Sequence, residues 1–215
     1  MGAQQLWLMG DGEPSFDRGF AGARTIDLGR GAWMAHVRGW VRGHDVLFGA
    51  LERAMSWRAE RRVMYERVVD VPRLLARVPE DGAGHPLLPA MAEALGARYG
   101  AHLDAITLAL YRDGNDCVAW HRDHDHRDRE RCVVAVTSLG GARRFLVRPL
   151  AGTGRSGGGR AGGGSVALTV AAGDVLVMGG TCQRTVEHCV PKTARADPRI
   201  AIMFRHTEPI APRVR

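Results

Sequence analysis

The stretch YRDGNDCVAWHRDHDH, residues 111–126, decides how the rest of the chain is interpreted, because it places His121 and Asp123 two positions apart. On an extended backbone, side chains at i and i+2 point to the same side, so these two side chains can aim at one point. An imidazole and a carboxylate that meet in this way can share one metal ion. The H-x-D spacing is common by chance, so the interpretation depends on residues further along the chain.

Downstream residues complete a ligand set. The segment RTVEHCVPK supplies His188, and the strand-like run RIAIMFR then carries Arg199 and Arg205 at its two ends. Two histidines and one carboxylate form the facial ligand set of non-haem Fe(II) oxygenases, which leaves coordination positions open. Because the arginines are six positions apart, a strand turns both toward one face. Guanidinium groups bind carboxylates bidentately, so a dicarboxylic cosubstrate is predicted beside the iron, and 2-oxoglutarate is the simplest choice.

The length and composition indicate one folded domain. The chain has 215 residues, of which 45% are hydrophobic and 25% are charged, as in an ordinary globular protein that buries a core. The net charge of +7 suits a polyanionic partner such as nucleic acid. The positive charge is nearly all arginine, however, and the abundant alanine and glycine beside it are typical of a GC-rich genome. The charge therefore permits nucleic-acid binding without establishing it.

The four cysteines form neither a C-x-x-C pair nor a dense framework, which favours a reducing cytoplasm. Zinc binding by Cys182, His188 and Cys189 is the weaker alternative, because zinc sites usually bring a second closely spaced ligand pair. The N-terminus lacks a basic region followed by an apolar run, and no stretch approaches the ~18 apolar residues that span a bilayer. We expect a soluble, cytoplasmic monomer that has no membrane partner.

Two helices are predicted in the N-terminal part of the chain. Apolar residues recur at helical spacing from Asp45, a reasonable N-cap, to about Trp57. A second helix is marked by apolar residues from Met91 to Tyr99, and Gly100 is placed to end it. Before the first helix we expect irregular strand and loop, and between the helices a basic strand and turn.

The C-terminal part is rich in β-prone runs. Six of them, separated by turns, are DAITLALY, RCVVAVTSL, RRFLVRP, SVALTV, DVLVM and RIAIMFR. Such a series predicts an all-β core, either a barrel or a double-sheet jelly roll. The glycine-rich segment AGTGRSGGGRAGGG is expected to be a flexible hairpin connection. The alternative is a mobile loop whose arginines contact a phosphate backbone.

The chain resembles the AlkB family of Fe(II)- and 2-oxoglutarate-dependent dioxygenases over most of its length, and we expect a bacterial member. The resemblance is tightest in LYRDGNDCVAWHRD, TSLGGARRFLVRP, GDVLVMGGTCQRTVEHCVPK and RIAIMFR. It implies an α+β fold with a double-stranded β-helix (jelly-roll) core, on which N-terminal helices and a nucleotide-recognition lid pack. The implied division is an N-terminal extension with both helices and the lid in residues 1–100, and the dioxygenase core in residues 101–215.

The resemblance also implies roles for individual residues. The implied iron ligands are His121, Asp123 and His188, and the implied 2-oxoglutarate-binding residues are Tyr111, Arg199 and Arg205. Asp125 would lie near the exocyclic amine of the damaged base, which would favour adenine and cytosine lesions. Trp57 and Tyr65, in or beside the segment that resembles the lid, would stack on the flipped base, and core packing is the alternative for both. His124 and His126 are expected to be solvated neighbours rather than ligands.

Two positions depart from the family pattern. Ala109 stands where the family usually has Asn, two residues before Tyr111. One missing hydrogen bond to a charged ligand costs about 1.5–3 kcal/mol, so weaker cosubstrate binding is expected. Val186 stands where close relatives often carry an aromatic residue, two positions before His188, and no consequence follows from the sequence.

The predicted function is oxidative demethylation of N-alkylated bases in DNA, of the 1-methyladenine and 3-methylcytosine type. It would use Fe(II), O2 and 2-oxoglutarate and release succinate, CO2 and formaldehyde. Methylation of the Watson–Crick edge breaks the base pair beforehand and lowers the cost of flipping the base. One alternative keeps the oxygenase but gives it an RNA, a protein or a small molecule as substrate. The other is a catalytically silent nucleic-acid-binding module, which Ala109 makes conceivable and the full ligand set opposes.

Overall fold

The fold consists of two large β-sheets, one two-stranded sheet and a pair of longer helices in the part of the chain that a computed structural model describes. The described residues are 12–64, 67–79, 84–127, 129–150 and 165–210, without the side chains of 62–64 and 67–70. The helices are α1 (His44–Ala54), α2 (Leu87–Tyr99) and the single-turn α3 (Cys182–Thr185). The strands are β1 (Ser15–Phe16), β2 (Arg24–Gly29), β3 (Ala32–Val37), β4 (Val41–Arg42), β5 (Arg58–Met64), β6 (Arg67–Arg77), β7 (Ala105–Tyr111), β8 (Val118–His121), β9 (Cys132–Gly140), β10 (Arg143–Pro149), β11 (Val166–Val170), β12 (Val175–Gly180), β13 (Val186–Val190) and β14 (Arg199–Arg205).

Eight strands form the larger sheet, in the order β2-β3-β12-β9-β14-β7-β6-β5, and four form the smaller sheet, in the order β11-β10-β13-β8. Neighbouring strands run antiparallel in both sheets. All six β-prone runs of the C-terminal part are strands, as predicted. The larger sheet also takes in β2, β3, β5 and β6, so residues from before and after position 100 share one hydrogen-bonded sheet.

Both faces of the larger sheet are buried, as β14 shows. Ile200, Ile202 and Phe204 belong to one apolar cluster, which they share with residues of α1 and α2. Ala201 belongs to a second cluster, which it shares with Phe145 of β10 in the smaller sheet. Side chains on a strand alternate between its faces, so the helices cover one face of the larger sheet and the smaller sheet covers the other. The result is a mostly β structure with few helices.

Glycines set the ends of both longer helices. Gly43, with φ 60°, takes the N-cap position of α1 that the sequence indicated for Asp45. Gly100, with φ 70°, ends α2 as predicted, and its N–H donates to the carbonyl of Gly96. Glycine adopts this left-handed backbone at little cost because it has no Cβ. None of the described helices is long and apolar enough to cross a membrane.

The N-terminal residues are more regular than the sequence indicated. Strands β2 and β3 form a hairpin, and β3 pairs with β12 so that Met34 lies opposite Met178. The expectation of irregular strand and loop is wrong here, because the partner strand lies far away in the sequence. The basic segment between the helices forms two antiparallel strands, β5 and β6, where the sequence predicted one strand and a turn. The glycine-rich segment, residues 151–164, lies outside the described residues.

Candidate metal centre

Three side chains converge between the two sheets. His121 ends β8, and His188 lies at the centre of β13 directly opposite it in the smaller sheet. The Nε2 atoms of His121 and His188 lie 3.7 Å and 3.9 Å from Oδ1 of Asp123. Donor atoms that bind one ion at ~2.1 Å lie roughly 3 Å apart, so a small closure would bring all three onto a metal. These three are the metal-ligand group found among the described residues, and the zinc alternative with Cys182 and Cys189 gains no support.

The electrostatics of the trio suit a divalent cation. Burial, followed by the nearby His121, lowers the pKa of His188 to about 3, and burial also lowers the pKa of His121. Burial alone raises the pKa of Asp123, but Arg205 and the two histidines outweigh it and lower that pKa to about 2. At neutral pH the site therefore presents two neutral imidazoles and one carboxylate. This is the protonation state in which all three can donate a lone pair to a metal.

Neighbouring groups orient two of the ligands. Nε of Arg205 donates to Oδ2 of Asp123 at 2.6 Å, which leaves Oδ1 facing the histidines. The backbone N–H of Asp123 donates to Oε1 of Gln183 at 2.8 Å. Nδ1 of His121 lies 2.9 Å from the carbonyl oxygen of Ala119, so the proton belongs on Nδ1 and Nε2 is free to bind a metal. Such outer partners fix the direction of a ligand and raise its affinity for the metal.

A buried cation, Arg199, lies at the start of β14 in the larger sheet, on the same strand as Arg205. Arg199 is 2% exposed, and its Nε donates to Oγ of Ser138 at 2.7 Å. Its guanidinium carbon lies 5.0 Å from the ring centroid of Tyr111. Burial lowers the pKa of Arg199, and the Tyr111 phenol opposes that shift. Among the described residues, Nη1 has no hydrogen-bond partner and no carboxylate lies within 4.0 Å of the side chain.

The surroundings of Arg199 indicate whether an anionic cosubstrate would fit at this site. A buried charge without a counter-charge costs several kcal/mol in principle, so proteins pair it or bind an anion there. The unpartnered Nη1 of Arg199 therefore marks a place for a carboxylate oxygen. Arg199 and Arg205 both turn toward the smaller sheet, as the even spacing predicted. The residues present fit a metal ion and a dicarboxylate side by side.

Arg205 has several partners within the protein. Besides Asp123, Nη1 donates to Oγ1 of Thr107 at 3.0 Å, and Nη2 lies 3.7 Å from Sδ of Met203. Thr107 lies on the same face of β7 as Ala109, which is fully buried. The structure thus supplies a hydroxyl two residues before the position of the missing family Asn, and this hydroxyl accepts a hydrogen bond from Arg205. Direct binding of 2-oxoglutarate by Arg205, and the weaker binding expected from Ala109, stay predictions.

The predicted substrate-binding residues are less closely gathered. The carboxylate of Asp125 is exposed, and it lies 3.3 Å from Nδ1 of the equally exposed His124. Trp57 packs against the apolar cluster that β14 shares with α1 and α2, and its indole N–H donates to the carbonyl of Glu52 at 3.0 Å. Tyr65 lies outside the described residues. The substrate roles of these three residues therefore stay predictions.

His126 is not solvated, and the expectation that it would be is wrong. Its side chain is 2% exposed, and Nε2 lies 2.9 Å from the carbonyl oxygen of His206. The two imidazole rings pack edge to face, with centroids 4.5 Å apart. A 3-10 turn over His124–His126 causes the difference, because it turns His124 outward and His126 inward. His126 is thereby part of the support beneath the metal-binding loop.

Three supporting residues were not predicted from the sequence. Gln183 and Ser138 act through hydrogen bonds to residues that are distant in the chain, and no local pattern indicates such pairs. Arg143 is 3% exposed at the start of β10, with its guanidinium carbon 5.5 Å from the Tyr111 ring centroid. A signal for Arg143 did exist, because strand alternation places it on the buried face with Phe145.

Comparisons with known proteins agree with this chemistry. A family model described as the 2OG-Fe(II) oxygenase superfamily matches residues 47–205. The chain is 26% identical to the DNA oxidative demethylase ALKBH2 of Arabidopsis thaliana, over 85% of this chain and 68% of that protein. It is 27% identical to the alpha-ketoglutarate-dependent dioxygenase alkB homolog 3 of Homo sapiens, over 73% of this chain and 52% of that protein. The chain thus spans about half of the human relative's length.

A solved structure shares the fold. The crystal structure of an oxidoreductase of the 2OG-Fe(II) oxygenase family from Burkholderia pseudomallei matches with a TM-score of 0.51. The match covers 79% of this chain and 82% of that one, at 17% sequence identity. At this identity the likeness concerns the path of the backbone and not the substrate.

Proposed function

We propose that this chain, which belongs to the 2OG-Fe(II) oxygenase superfamily, removes alkyl groups from ring nitrogens of DNA bases by oxidation. It is an Fe(II)- and 2-oxoglutarate-dependent dioxygenase of the AlkB homologue family. The proposed substrates are lesions of the 1-methyladenine and 3-methylcytosine type, and the proposed products are the repaired base, formaldehyde, succinate and CO2. The observation that carries the proposal is the convergence of His121, Asp123 and His188, together with a buried arginine, Arg199, whose Nη1 has no partner among the described residues.

The proposed roles follow from the contacts of each side chain. Nε2 of His121, Oδ1 of Asp123 and Nε2 of His188 hold Fe(II). Tyr111, Arg199 and Arg205 hold 2-oxoglutarate. When bound, Fe(II) and 2-oxoglutarate supply the dioxygen activation that hydroxylates the alkyl carbon, a reaction that no amino-acid side chain performs.

The protein's own contribution is binding, orientation and exclusion of water. Ser138 accepts a hydrogen bond from Arg199 and so fixes the plane of the guanidinium, whose unpartnered Nη1 would donate to the cosubstrate carboxylate. Phe145 stacks on the His188 ring, with centroids 5.4 Å apart and an angle of 21° between the planes. This contact holds the ligand and keeps water away from its side. Arg205 keeps Asp123 ionised, so the carboxylate does not need to lose a proton when the metal arrives.

The finer details of the fold belong to the same proposal. We infer that the two antiparallel sheets form a double-stranded β-helix, with the metal between them. In the proposed division, residues 1–100 are an extension that adds four strands to the larger sheet, and residues 101–215 are the dioxygenase core. The β5–β6 hairpin, at the end of the larger sheet beside β7, is the proposed nucleotide-recognition lid.

A nucleic-acid substrate is supported by two independent observations. The Arabidopsis thaliana relative is a DNA oxidative demethylase, and this chain carries a net charge of +7. A basic protein attracts the phosphate backbone without reading its sequence. A base in a duplex must be flipped out at a cost of a few kcal/mol, which is smaller for a base that methylation has already unpaired.

The direct test uses short DNA strands that carry one 3-methylcytosine or one 1-methyladenine. The strands are incubated with the protein, Fe(II), ascorbate and 2-oxoglutarate, and their mass is measured. Loss of the methyl group with the intact protein and not with His121→Ala is the expected result. Succinate production without any loss of the methyl group would contradict the DNA substrate and direct the search to RNA, protein or small molecules.

A further inference from the structure

We infer that Arg143 is a positioning residue for 2-oxoglutarate, because it ties the Tyr111 ring to the segments that carry both histidine ligands. The inference rests on the proposed function, since it concerns the cosubstrate pocket of the same site. Arg143 does not reach the metal trio itself in any recorded contact. It acts through Tyr111 and through the backbone around it.

The guanidinium of Arg143 joins two segments of the chain through backbone carbonyls. Nη1 donates to the carbonyl of Asp113 at 3.1 Å, and Nη2 donates to those of Asp116 and Pro191 at 2.8 Å each. Residues 113 and 116 lie in the loop between Tyr111 and β8, the strand that ends at His121. Pro191 directly follows β13, the strand that carries the second histidine. One buried side chain therefore ties the loop after Tyr111 to the residue after β13, while the pairing of β8 with β13 itself sets the spacing of the two histidines.

Arg143 and Arg199 also contact the same aromatic ring, that of Tyr111. The guanidinium carbon of Arg143 is 5.5 Å from the Tyr111 ring centroid, and that of Arg199 is 5.0 Å from the same centroid. A guanidinium within about 6 Å of a ring is attracted by its π electrons, so both cations hold the ring in place. Nη1 of Arg199 has no hydrogen-bond partner among the described residues and is the atom proposed to bind the cosubstrate carboxylate. Loss of Arg143 would let the Tyr111 ring move and would so change the shape of the proposed cosubstrate pocket.

Within the described part of the chain Arg143 makes no direct ion pair, although its charge helps Arg112 to lower the pKa of the Asp116 carboxyl that Arg112 binds. Among the described residues no carboxylate lies within 4.0 Å of its guanidinium, and its recorded acceptors are carbonyl oxygens. With Arg199 it makes a pair of buried cations on one ring. A dianion bound at Arg199 would reduce the repulsion between these two cations, and so Arg143 favours 2-oxoglutarate over a neutral ligand.

The chain offers a matched control in Arg112. This residue belongs to the same loop and binds the carboxylate of Asp116 through Nε and Nη2, both at 2.8 Å. Its side chain is 56% exposed, and it makes no recorded contact with the Tyr111 ring. Arg112→Met removes the same charge and one anchor of the same loop. Arg143→Lys keeps the charge at the inferred site but cannot reach three carbonyls.

The test is an anaerobic titration of each Fe(II)-loaded protein with 2-oxoglutarate, followed by the visible charge-transfer band, with Fe(II) affinity measured separately. Arg143→Met and Arg143→Lys are expected to raise the Kd for 2-oxoglutarate about tenfold or more, with Fe(II) affinity nearly unchanged. Because exposed ion pairs contribute little, Arg112→Met is expected to change that Kd less than about threefold. Circular dichroism melting identifies any variant that does not fold, and Arg143→Lys is the milder of the two.

Each other outcome overturns something definite. An unchanged Kd in folded Arg143 variants, or an equal increase in Arg112→Met, would overturn the positioning role. An equal loss of Fe(II) affinity would show a general structural role and would overturn it too. If the unaltered protein binds no 2-oxoglutarate, the proposed function fails first and this inference with it.

Discussion

Arg205 and Asp123 are joined by a 2.6 Å hydrogen bond from Nε to Oδ2, on the side of the carboxylate that faces away from the histidines. The pair links β14 of the larger sheet to the metal-binding loop that follows β8 of the smaller sheet. The arginine at the end of β14 therefore has two connections, one to a metal ligand and one to the proposed cosubstrate pocket. Metal binding and cosubstrate binding are expected to depend on each other through this contact.

Replacing Arg205 by Met is expected to weaken metal binding roughly 10- to 100-fold, the usual effect of losing an outer-shell partner. Burial raises the pKa of Asp123, and Arg205 is the largest of the groups that lower it, so that pKa should rise when Arg205 is removed. A carboxylate with a lowered pKa is available above that pKa and is lost as the pH falls, so the variant should lose metal at higher pH than the unaltered protein.

Anaerobic Fe(II) titrations at about pH 5.5 and about pH 7.5 measure this effect, and the loss should be larger at the lower pH. Arg148→Met is the control, because it removes an arginine that pairs with Glu187 on the outside of the smaller sheet. Equal metal affinity in Arg205→Met and Arg148→Met would contradict the role given to Arg205.

Replacing Gln183 by Leu is expected to lower the affinity for Fe(II) about tenfold. The substitution removes the acceptor of the Asp123 N–H, which is buried and would be left without a partner. Arg184→Gln, at the exposed neighbouring position, is the control and should leave the affinity unchanged. A melting curve of the metal-free Gln183→Leu variant distinguishes a loss of metal affinity from unfolding of the protein.

Replacing Arg199 by Met is expected to raise the Kd for 2-oxoglutarate roughly 10- to 150-fold, the equivalent of one lost charged hydrogen bond. The stability of the ligand-free protein should not fall, because an uncompensated buried charge disappears with the side chain. Thermal unfolding with and without 2-oxoglutarate checks both parts. Arg144→Met, on the exposed side of β10, is the matched control. A large drop in Tm without ligand would show that Arg199 has another partner in the protein.

Replacing Asp174 by Asn is expected to destabilise the fold by about 2 kcal/mol at neutral pH. The carboxylate accepts hydrogen bonds from His36 and from the backbone N–H groups of Gly39 and Ala171. Burial raises the pKa of Asp174, but these bonds outweigh it and lower it.

The lowered pKa of Asp174 stabilises the folded state fully above about pH 3.9, the pKa of an Asp carboxyl in the unfolded chain. This contribution is lost as the pH falls through the lower pKa of the folded state. The variant should therefore show a flatter loss of stability in acid than the unaltered protein. Urea unfolding across the acid range measures the difference. Parallel curves for both proteins would exclude Asp174 as a source of the acid dependence.

Much of the metal site could be predicted from the sequence because its geometry is local. His121 and Asp123 are neighbours in the chain, and Arg199 and Arg205 share a face by strand alternation. The supporting bonds of Gln183 could not be predicted in the same way. They depend on how α3 packs against the loop after β8, which no spacing in the sequence records.

The fold shows the same division between local and distant information. Helix α2 and its end at Gly100 follow from apolar spacing and one glycine. The place of β3 in the larger sheet depends on β12, which lies about 140 residues later, and a local pattern cannot reveal it. The sequence around His126 indicated an exposed side chain, but the 3-10 turn over His124–His126 buries it.

Formaldehyde and succinate, measured in the same reaction, test whether the trio of His121, Asp123 and His188 carries out the proposed oxidative demethylation of DNA. The reaction is run with 3-methylcytosine DNA, with the same strand unmethylated, and with a matched methylated RNA. The predicted result is one formaldehyde for each succinate on methylated DNA, little of either on unmethylated DNA, and neither with His188→Ala. Succinate without formaldehyde on methylated DNA, or formaldehyde that persists in His188→Ala, would contradict this proposal.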